Sequence, residues 1–432
     1  MPVLETEGLR ESLCSLRRAH VVLAFLTHFY AHTTVAPNPV EIPTCLGVPL
    51  LAVSDLLGLP PVLTYADTVL YNFHAAAPSG ALSLTANPPT YTLASFTNTR
   101  SEQQFYIISA LCEIAGSEAL RLMRRSLDEL FLADQTALRR LTMYLKKLAV
   151  QIDRIGDITL SIMKEVDPEE FYHLIRPWFK GGDSEGPESL GWLFMGADDQ
   201  AHAAENANRG TRKGRMFSGP SAGQSSLIHA IDIFLTVDHS PTEDEALPLP
   251  QPPVPALHLN HSPVAVGPTE QSSSAPTTPA RPAGSNEASF VQRMLQYMPL
   301  PHRTFLLHLS THPTPLRPLV IAHAQSHPHL AAAYDSALEA LKRFREKHMR
   351  VVSMFIVQQA RRRPSPRIRR LLGEEVNEDE EGEETAVAKE AGEKGELRGT
   401  GGTPLFKFLK RCRDNTTKAM IGTSAGPSYE LE

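Results

Sequence analysis

His348 is the one titratable member of an otherwise apolar series. Leu330, Tyr334, Ala337, Leu341, Phe344, His348, Val351 and Phe355 recur at intervals of four and three residues, the spacing of a single stripe on a helix. An imidazole on such a seam needs partners for both ring nitrogens, and a cavity-facing nitrogen can bind a metal. Positions 344, 345, 351 and 352 offer no second His, Cys or carboxylate on the same face, so any metal would be held by one axial bond. Haem is held that way inside helical proteins. The bland reading, a core histidine bonded to a neighbouring helix, stays open on this pattern alone.

Other residues of chemical interest lie far off in sequence. Arg176 ends a short helical run before Pro177 and the turn Lys180-Gly181-Gly182, where a guanidinium can project or simply complement a helix C-terminus. Ser221 and Gln224 in GPSAGQSS have capping-box spacing, and the small residues would let a polar or anionic group approach a helix start. A plain helix start fits as well. Ser109 shares a helical face with Phe105, Cys112, Ala115 and Leu122, so its hydroxyl points inward and needs a partner. His302 is a rival ligand, but falls in a proline-bounded stretch read as a helix end and turn.

Long helices are expected to position these groups. The stretch from Ser326 to Gln359 has a proline only in its first turn, which a helix tolerates, and would run on the order of 45 Å at ~1.5 Å per residue. A second helix opens at a Ser101–Gln104 capping box. A third, capped by Asp134, turns Leu138, Leu141, Leu145, Leu148, Ile152 and Ile155 inward. A further helix covers Glu7 to Ala31, and the run Glu169–Arg176 must stop before Pro177. No stretch alternates over strand length, so the fold class is all-α.

Composition narrows the function. The 432 residues carry a net charge of −6, a 42% hydrophobic share and four cysteines in no metal-ligand spacing, which indicates a cytoplasmic protein with free thiols. No apolar run spans a bilayer and none resembles a signal peptide, so no membrane association is expected. The basic run 361–370 lies beside an acidic block at 374–384 and lacks interleaved aromatics, so no nucleic-acid partner is expected. Residues 237–288 are rich in Pro, Ser and Thr and read as a disordered insertion, as does the charged stretch 361–397. The ordered chain is then 1–236 and 289–360, the latter carrying His348, with a mobile glycine loop, a helix and a tail over 398–432.

Four separated motifs, together with FREKHMRVV at 344–352, resemble the indoleamine 2,3-dioxygenase family: LPPVLTYADTVL at 59–70, GPSAGQSS at 219–226 followed by Asp232, YMPLPHRTFL at 297–306 and RGTGGT at 398–403. The resemblance implies a helical bundle enclosing haem b, and an enzyme that inserts both atoms of O₂ across the indole C2–C3 bond of L-tryptophan. The product would be N-formylkynurenine, at the head of the kynurenine route towards NAD. An external reductant would keep the iron ferrous, and the chain would act as a monomer.

By the same resemblance His348 would be the axial iron ligand. Arg345 would meet a haem propionate with Asp232 supporting it, and Ser221 and Ala222 would line the haem pocket. Phe171 and Tyr172 would form the aromatic pair of the substrate pocket. Arg176 would bind the substrate carboxylate, Tyr65 and Phe105 would wall the indole, and Ser109 would sit near dioxygen or the indole N–H. Thr400 and Gly401 would close over the amino-acid end. No distal base is expected.

The sequence departs from the family at Pro220, where a glycine is common, and at Tyr172, where a second phenylalanine is common. The resemblance begins close to Met1, so the small N-terminal domain of the family is expected to be largely missing. The alternatives are a haem-binding relative with little or no turnover and a helical scaffold with disordered arms.

Overall fold

The computed structural model describes residues 2–34, 39–77, 80–184, 189–198, 213–240, 247–248, 287–288, 290–376 and 405–422. Helices α1 (Leu13–Thr33), α2 (Thr44–Leu57), α3 (Arg100–Leu132) and α4 (Gln135–Glu165) come first. They are followed by the single turn α5 (Pro168–Glu170), α6 (Ser226–Phe234), α7 (Phe290–Leu295), α8 (Leu300–Ser310) and α9 (Leu316–His323). The last are α10 (Pro328–Val352), α11 (Pro366–Leu371) and α12 (Leu405–Lys418). The strands form three small two-stranded ladders, β1 (Val40–Ile42) with β4 (Trp192–Phe194), β2 (Phe73–Ala75) with β3 (Pro89–Thr92), and β5 (Leu247–Pro248) with β6 (Glu287–Ala288). The all-α expectation holds.

The centre is α4 packed between α3 and α10. All six apolar residues expected to face inward on α4 are buried, as are Leu330, Tyr334, Ala337 and Leu341 on α10. At full burial each leucine or isoleucine among them stabilises the fold by roughly 1.5–3 kcal/mol. Helix α6 crosses α3 at Gly116, where a Cβ would stand 2.0 Å from Cδ2 of Leu227. A second apolar cluster gathers α1, α2 and the start of α3 around Phe171, Phe179 and Phe355.

Several local expectations give way. Helix α3 is capped by Thr99, whose side chain accepts from the Glu102 N–H, while the Glu102 carboxylate receives the Phe96 and Thr97 N–H groups. The cap is therefore Thr99 without the reciprocal bond, since its own N–H goes to Thr97 Oγ1 at 3.3 Å, and Ser101 instead accepts from the N–H of Asp167. Helix α1 starts at Leu13 after a 3₁₀ turn at Glu7–Leu9. The expected helix end and turn are present where α7 stops at Leu295 and Tyr297 and Met298 turn back on it, but residues 300–303 already open α8. The chain also passes through Pro177, because 3₁₀ turn Arg176–Phe179 seats the proline in its opening turn, where no N–H is needed.

Three turns are wide π-turns: Ala66–Leu70, Phe171–Ile175 and Ser353–Val357. Their closing bonds run five residues back, from Tyr71 N–H to Ala66 O and from Gln358 N–H to Ser353 O, both at 2.9 Å. Such turns concentrate at functional sites.

Part of the stretch expected to be disordered is ordered. At 361–376 the basic run forms α11, with Ile368 fully buried. Arg367 bonds Asp167 at 2.7 Å and Glu170 at 2.6 Å, and Ser365 Oγ donates to Glu169 at 2.9 Å. The arginines serve carboxylates on the chain itself. Likewise β5 and β6 and residues 237–240 are described within the Pro/Ser/Thr-rich stretch.

Candidate functional site

A cavity of ≈ 340 Å³ opens where the two apolar clusters meet, a size suited to a small molecule. Tyr65, Phe105, Ser109, Phe171, Arg176 and His348 line it, as do Ser221, Ala222, Asp232 and Arg345. Each of the three π-turns or its flanking residue reaches the wall, through Tyr65, Phe171 and Phe355. Tyr172 does not line the cavity. Its ring lies instead 5.4 Å from the Arg176 guanidinium and edge-on to His173, because successive residues on a helical turn face different ways. Thr400 and Gly401 lie outside the described residues.

His348 projects from α10 into this space and forms no hydrogen bond with the described residues. Burial, aided by the Arg345 charge, pushes its pKa down to about 4. The imidazole is therefore neutral, with a lone pair available, as metal ligation requires. Among the described residues no group of three His, Cys, Asp or Glu could hold an ion alone. One axial imidazole in an apolar chamber is a donor set that fits haem. His302 is excluded as a rival because its Nδ1 meets Ser226 Oγ at 2.7 Å, away from the cavity.

Arg345 does more than face the cavity. Its two terminal nitrogens donate to the Cys412 carbonyl, to Thr416 Oγ1 and to Asp232 Oδ1, the last at 2.5 Å. It thereby fastens α12 to α10. Asp232 also stands 3.1 Å from Nε2 of His239, a residue the sequence placed in the insertion. His229 on α6 bonds the Gly223 carbonyl at 2.9 Å and is held neutral by burial.

The opposite wall is aromatic. Phe105 and Phe171 sit with ring centroids 4.7 Å apart, and Phe355 meets Phe171 edge-on at 5.7 Å. Ser109 finds its partner within its own helix, donating to the Phe105 carbonyl at 2.9 Å, so its oxygen presents lone pairs to the cavity. Burial depresses the Arg176 pKa from its very high normal value, yet a guanidinium stays charged.

An unexpected carboxyl joins them. Glu113 receives hydrogen bonds from the Tyr65 hydroxyl at 3.0 Å and from Ser225 Oγ at 2.6 Å, and burial raises its pKa. The four-residue step from Ser109 to Glu113 on α3 puts both on one face, a signal the sequence did contain. His239 had no comparable signal.

The loop before α6 differs from its expected form. Ser221 caps a 3₁₀ turn, Ala222–Gln224, by accepting from Gly223 N–H. The Gln224 side chain accepts from Tyr65 N–H and donates to the Gly219 carbonyl, both at 2.8 Å. There is no Ser221–Gln224 box. Gly181, in the facing turn, serves backbone packing against this loop, since a Cβ on it would stand 2.2 Å from the Phe217 carbonyl oxygen. Buried His28 ties the same region together, donating from Nδ1 to the Trp178 carbonyl at 2.9 Å and accepting the Leu63 N–H at Nε2 at 3.1 Å.

Known proteins are similar to this chain in sequence. The family model "Indoleamine 2,3-dioxygenase" matches residues 1–419. Mouse (Mus musculus) indoleamine 2,3-dioxygenase 1 is 28% identical over 426 residues, covering 98% of this chain and 83% of that protein. Indoleamine 2,3-dioxygenase of Saccharomyces cerevisiae is 29% identical over 411 residues, covering 93% and 77%. A protein of Fusarium equiseti named 6-hydroxytryptophan 2,3-dioxygenase is 28% identical over 422 residues, covering 97% and 85%. With its family model matched over nearly all its length, this chain belongs to the indoleamine 2,3-dioxygenase family, haem-dependent oxidoreductases acting with O₂ on tryptophan-like indoles.

Proposed function

We propose that the substrate is L-tryptophan itself, cleaved at the indole C2–C3 bond to N-formylkynurenine as the first step of the kynurenine route towards NAD. The observation that carries this reading is Arg176. It is a permanent cation on the wall of a cavity lined mainly by aromatic and aliphatic side chains. A dry aromatic chamber suits an indole, and one guanidinium suits the carboxylate of an amino acid.

His348 would hold the haem iron through its neutral imidazole, and the haem would supply the activation of O₂. Phe105 and Phe171 wall the indole, and Tyr65 sits with them, fixed by Glu113 and Gln224. Ser109 offers an acceptor oxygen to the indole N–H, because its own proton is committed to the Phe105 carbonyl. Tyr172 positions Arg176 from behind by cation–π contact. Ser221 and Ala222 would border the haem, and Asp232 and Arg345, which line the same cavity, would help hold it. Thr400 and Gly401 are assigned to the substrate's ammonium end. An external reductant keeps the iron ferrous, and the enzyme works as a cytoplasmic monomer; no described helix is long and apolar enough to cross a membrane.

The test is turnover of the haem-loaded chain with ascorbate and a redox mediator. L-Tryptophan, tryptamine and 6-hydroxytryptophan are compared as substrates, with products identified by mass. N-Formylkynurenine formed fastest from L-tryptophan supports the proposal. Preference for the hydroxylated indole, or turnover of none, removes it.

A further inference from the structure

Arg361, Arg362 and Arg363 stand exposed just ahead of Ser365, which is itself partly exposed. The chain between them is not helical: it is extended at Arg362 (φ −113°, ψ 147°) and at Ser365 (φ −61°, ψ 159°), and Pro366 then opens α11. Ser240, Ser262, Thr278, Thr314 and Thr403 also precede a proline, but only Ser365 has three arginines close before it. An extended segment with cations ahead of a hydroxyl suits the substrate cleft of a protein kinase. Carboxylates of the kinase can pair with the guanidinium groups, and its catalytic aspartate accepts the hydroxyl proton.

Ser365 also holds the start of α11 against α5. Its N–H and its Oγ both donate to the Glu169 carboxylate, the latter at 2.9 Å. Two residues on, Arg367 reaches Asp167 and Glu170. Three carboxylates of one short segment therefore face this serine and a single guanidinium. Arg367 is 52% exposed, so water weakens its pairs, and buried Ile368 is the apolar anchor. Helix α5 runs straight into the Phe171–Ile175 turn, whose first residue lines the cavity.

We propose that Ser365 is a phosphorylation site, and that a phosphate there unclasps α11 from α5. The phosphoryl donor is ATP, brought by a kinase that reads arginine before the serine and accepts proline after it. Ser365 Oγ attacks the γ-phosphorus, the bond from that phosphorus to the bridging oxygen breaks, and ADP leaves with the electron pair. The hydroxyl proton passes to the kinase's aspartate and on to solvent. Oγ then has no proton to give Glu169, and a group of about −1.5 to −2 charge stands beside three carboxylates. Turning towards Arg361–Arg363 relieves the repulsion and takes Ser365 off Glu169. Once undocked, the six residues of α11 are too few to stay helical alone. The switch would act on the segment that carries a cavity wall; its bearing on turnover rests on the substrate reading above, whereas the test below does not.

Two measurements on the full chain decide it. In the first, the protein is incubated with ATP and a proline-directed kinase that prefers arginine before the serine, and the phosphate is located by mass spectrometry. Phosphate on Ser365, absent from Ser365→Ala, is expected; phosphate only elsewhere, or none, overturns the proposal. In the second, phosphoserine is incorporated at position 365 during translation, and backbone hydrogen exchange is followed over 366–371. Loss of the charge-assisted bonds to Glu169 corresponds to about 10- to 100-fold faster exchange there. Ser365→Ala, which deletes the hydroxyl without adding charge, should accelerate exchange less. Glu169→Gln should remove most of the effect of the phosphate. Unchanged exchange, or equal acceleration by alanine and phosphate, refutes the unclasping. So does faster exchange throughout α4, which would make the phosphate a general destabiliser.

Discussion

Gly219 stands so close to Phe179 that a Cβ on it would lie 1.8 Å from the Phe179 carbonyl oxygen. The obstructing atom is backbone, in the turn that follows Arg176, so no rotamer change relieves it. This contact sets the spacing between the loop carrying Ser221 and the turn carrying Arg176. Gly219→Ala is therefore expected to destabilise the fold by about 2 kcal/mol or more and to weaken haem uptake. Gly8→Ala, where no atom lies within 4 Å, should change neither. Thermal melting and haem titration of the two variants check this.

Arg176→Ala should bind haem normally yet lose about a hundredfold in kcat/KM for L-tryptophan, the worth of a charge-assisted carboxylate contact. Tryptamine, which lacks the carboxylate, should be turned over with similar efficiency by both proteins. Steady-state kinetics on the two substrates decide it. An equal loss on both would assign Arg176 to scaffolding.

His28 predicts a pH dependence. Burial first, and then the nearby His32, push its pKa down from 6.5 to about 3, against the Trp178 carbonyl. The folded state binds this proton less readily than the unfolded state does. Its contribution is complete above about pH 6.5 and is lost as pH falls towards 3. Melting temperature should drop over that window in the wild type, and less steeply in His28→Gln. Melts across the range, with circular dichroism, provide the measurement.

Asp67, in the LTYADTVL segment, is a structural counterpart to the cavity residues. Its oxygens receive the Thr64 N–H at 2.9 Å and the Thr64 hydroxyl at 2.7 Å, and His20 Nδ1 lies at 2.6 Å. All are fully buried. Asp67→Ala would strand several donors and cost roughly 3–5 kcal/mol, displacing Tyr65 along with the turn. Asp67→Asn, which keeps an acceptor, should cost less. Denaturant unfolding curves distinguish the two.

The helical frame was legible because its signals are local and repeated. The stripe along α10 and the leucines of α4 needed only periodicity, and the Asp134 cap needed one side chain at a helix start. Most cavity residues were named through short motifs whose convergence no periodicity reveals. What escaped depends on long-range contact. The Thr99–Glu102 cap serves a loop behind the helix, so its register lay two residues before the apparent box. Tyr172 turned away because the π-turn at Phe171–Ile175 alters which side chains face inward. His239 sat in a polar stretch with the composition of an insertion, and only the fold brings it to Asp232. The basic segment at α11 looked unstructured because its carboxylate partners lie about two hundred residues earlier.

The wide turns have a consequence for how this chamber tolerates change in chain length. Each holds one residue beyond an ordinary helical turn, a surplus taken up within the turn itself. Deleting one residue from Ser353–Val357 would let the segment relax into regular helix, re-aiming the side chains within the turn while the chain beyond it keeps its phase. Phe355 and Ile356 would then swing off the wall while His348 stayed in place. An iron site intact beside a reshaped substrate chamber is the expected phenotype, which makes these three turns natural dials for changing which indole is accepted.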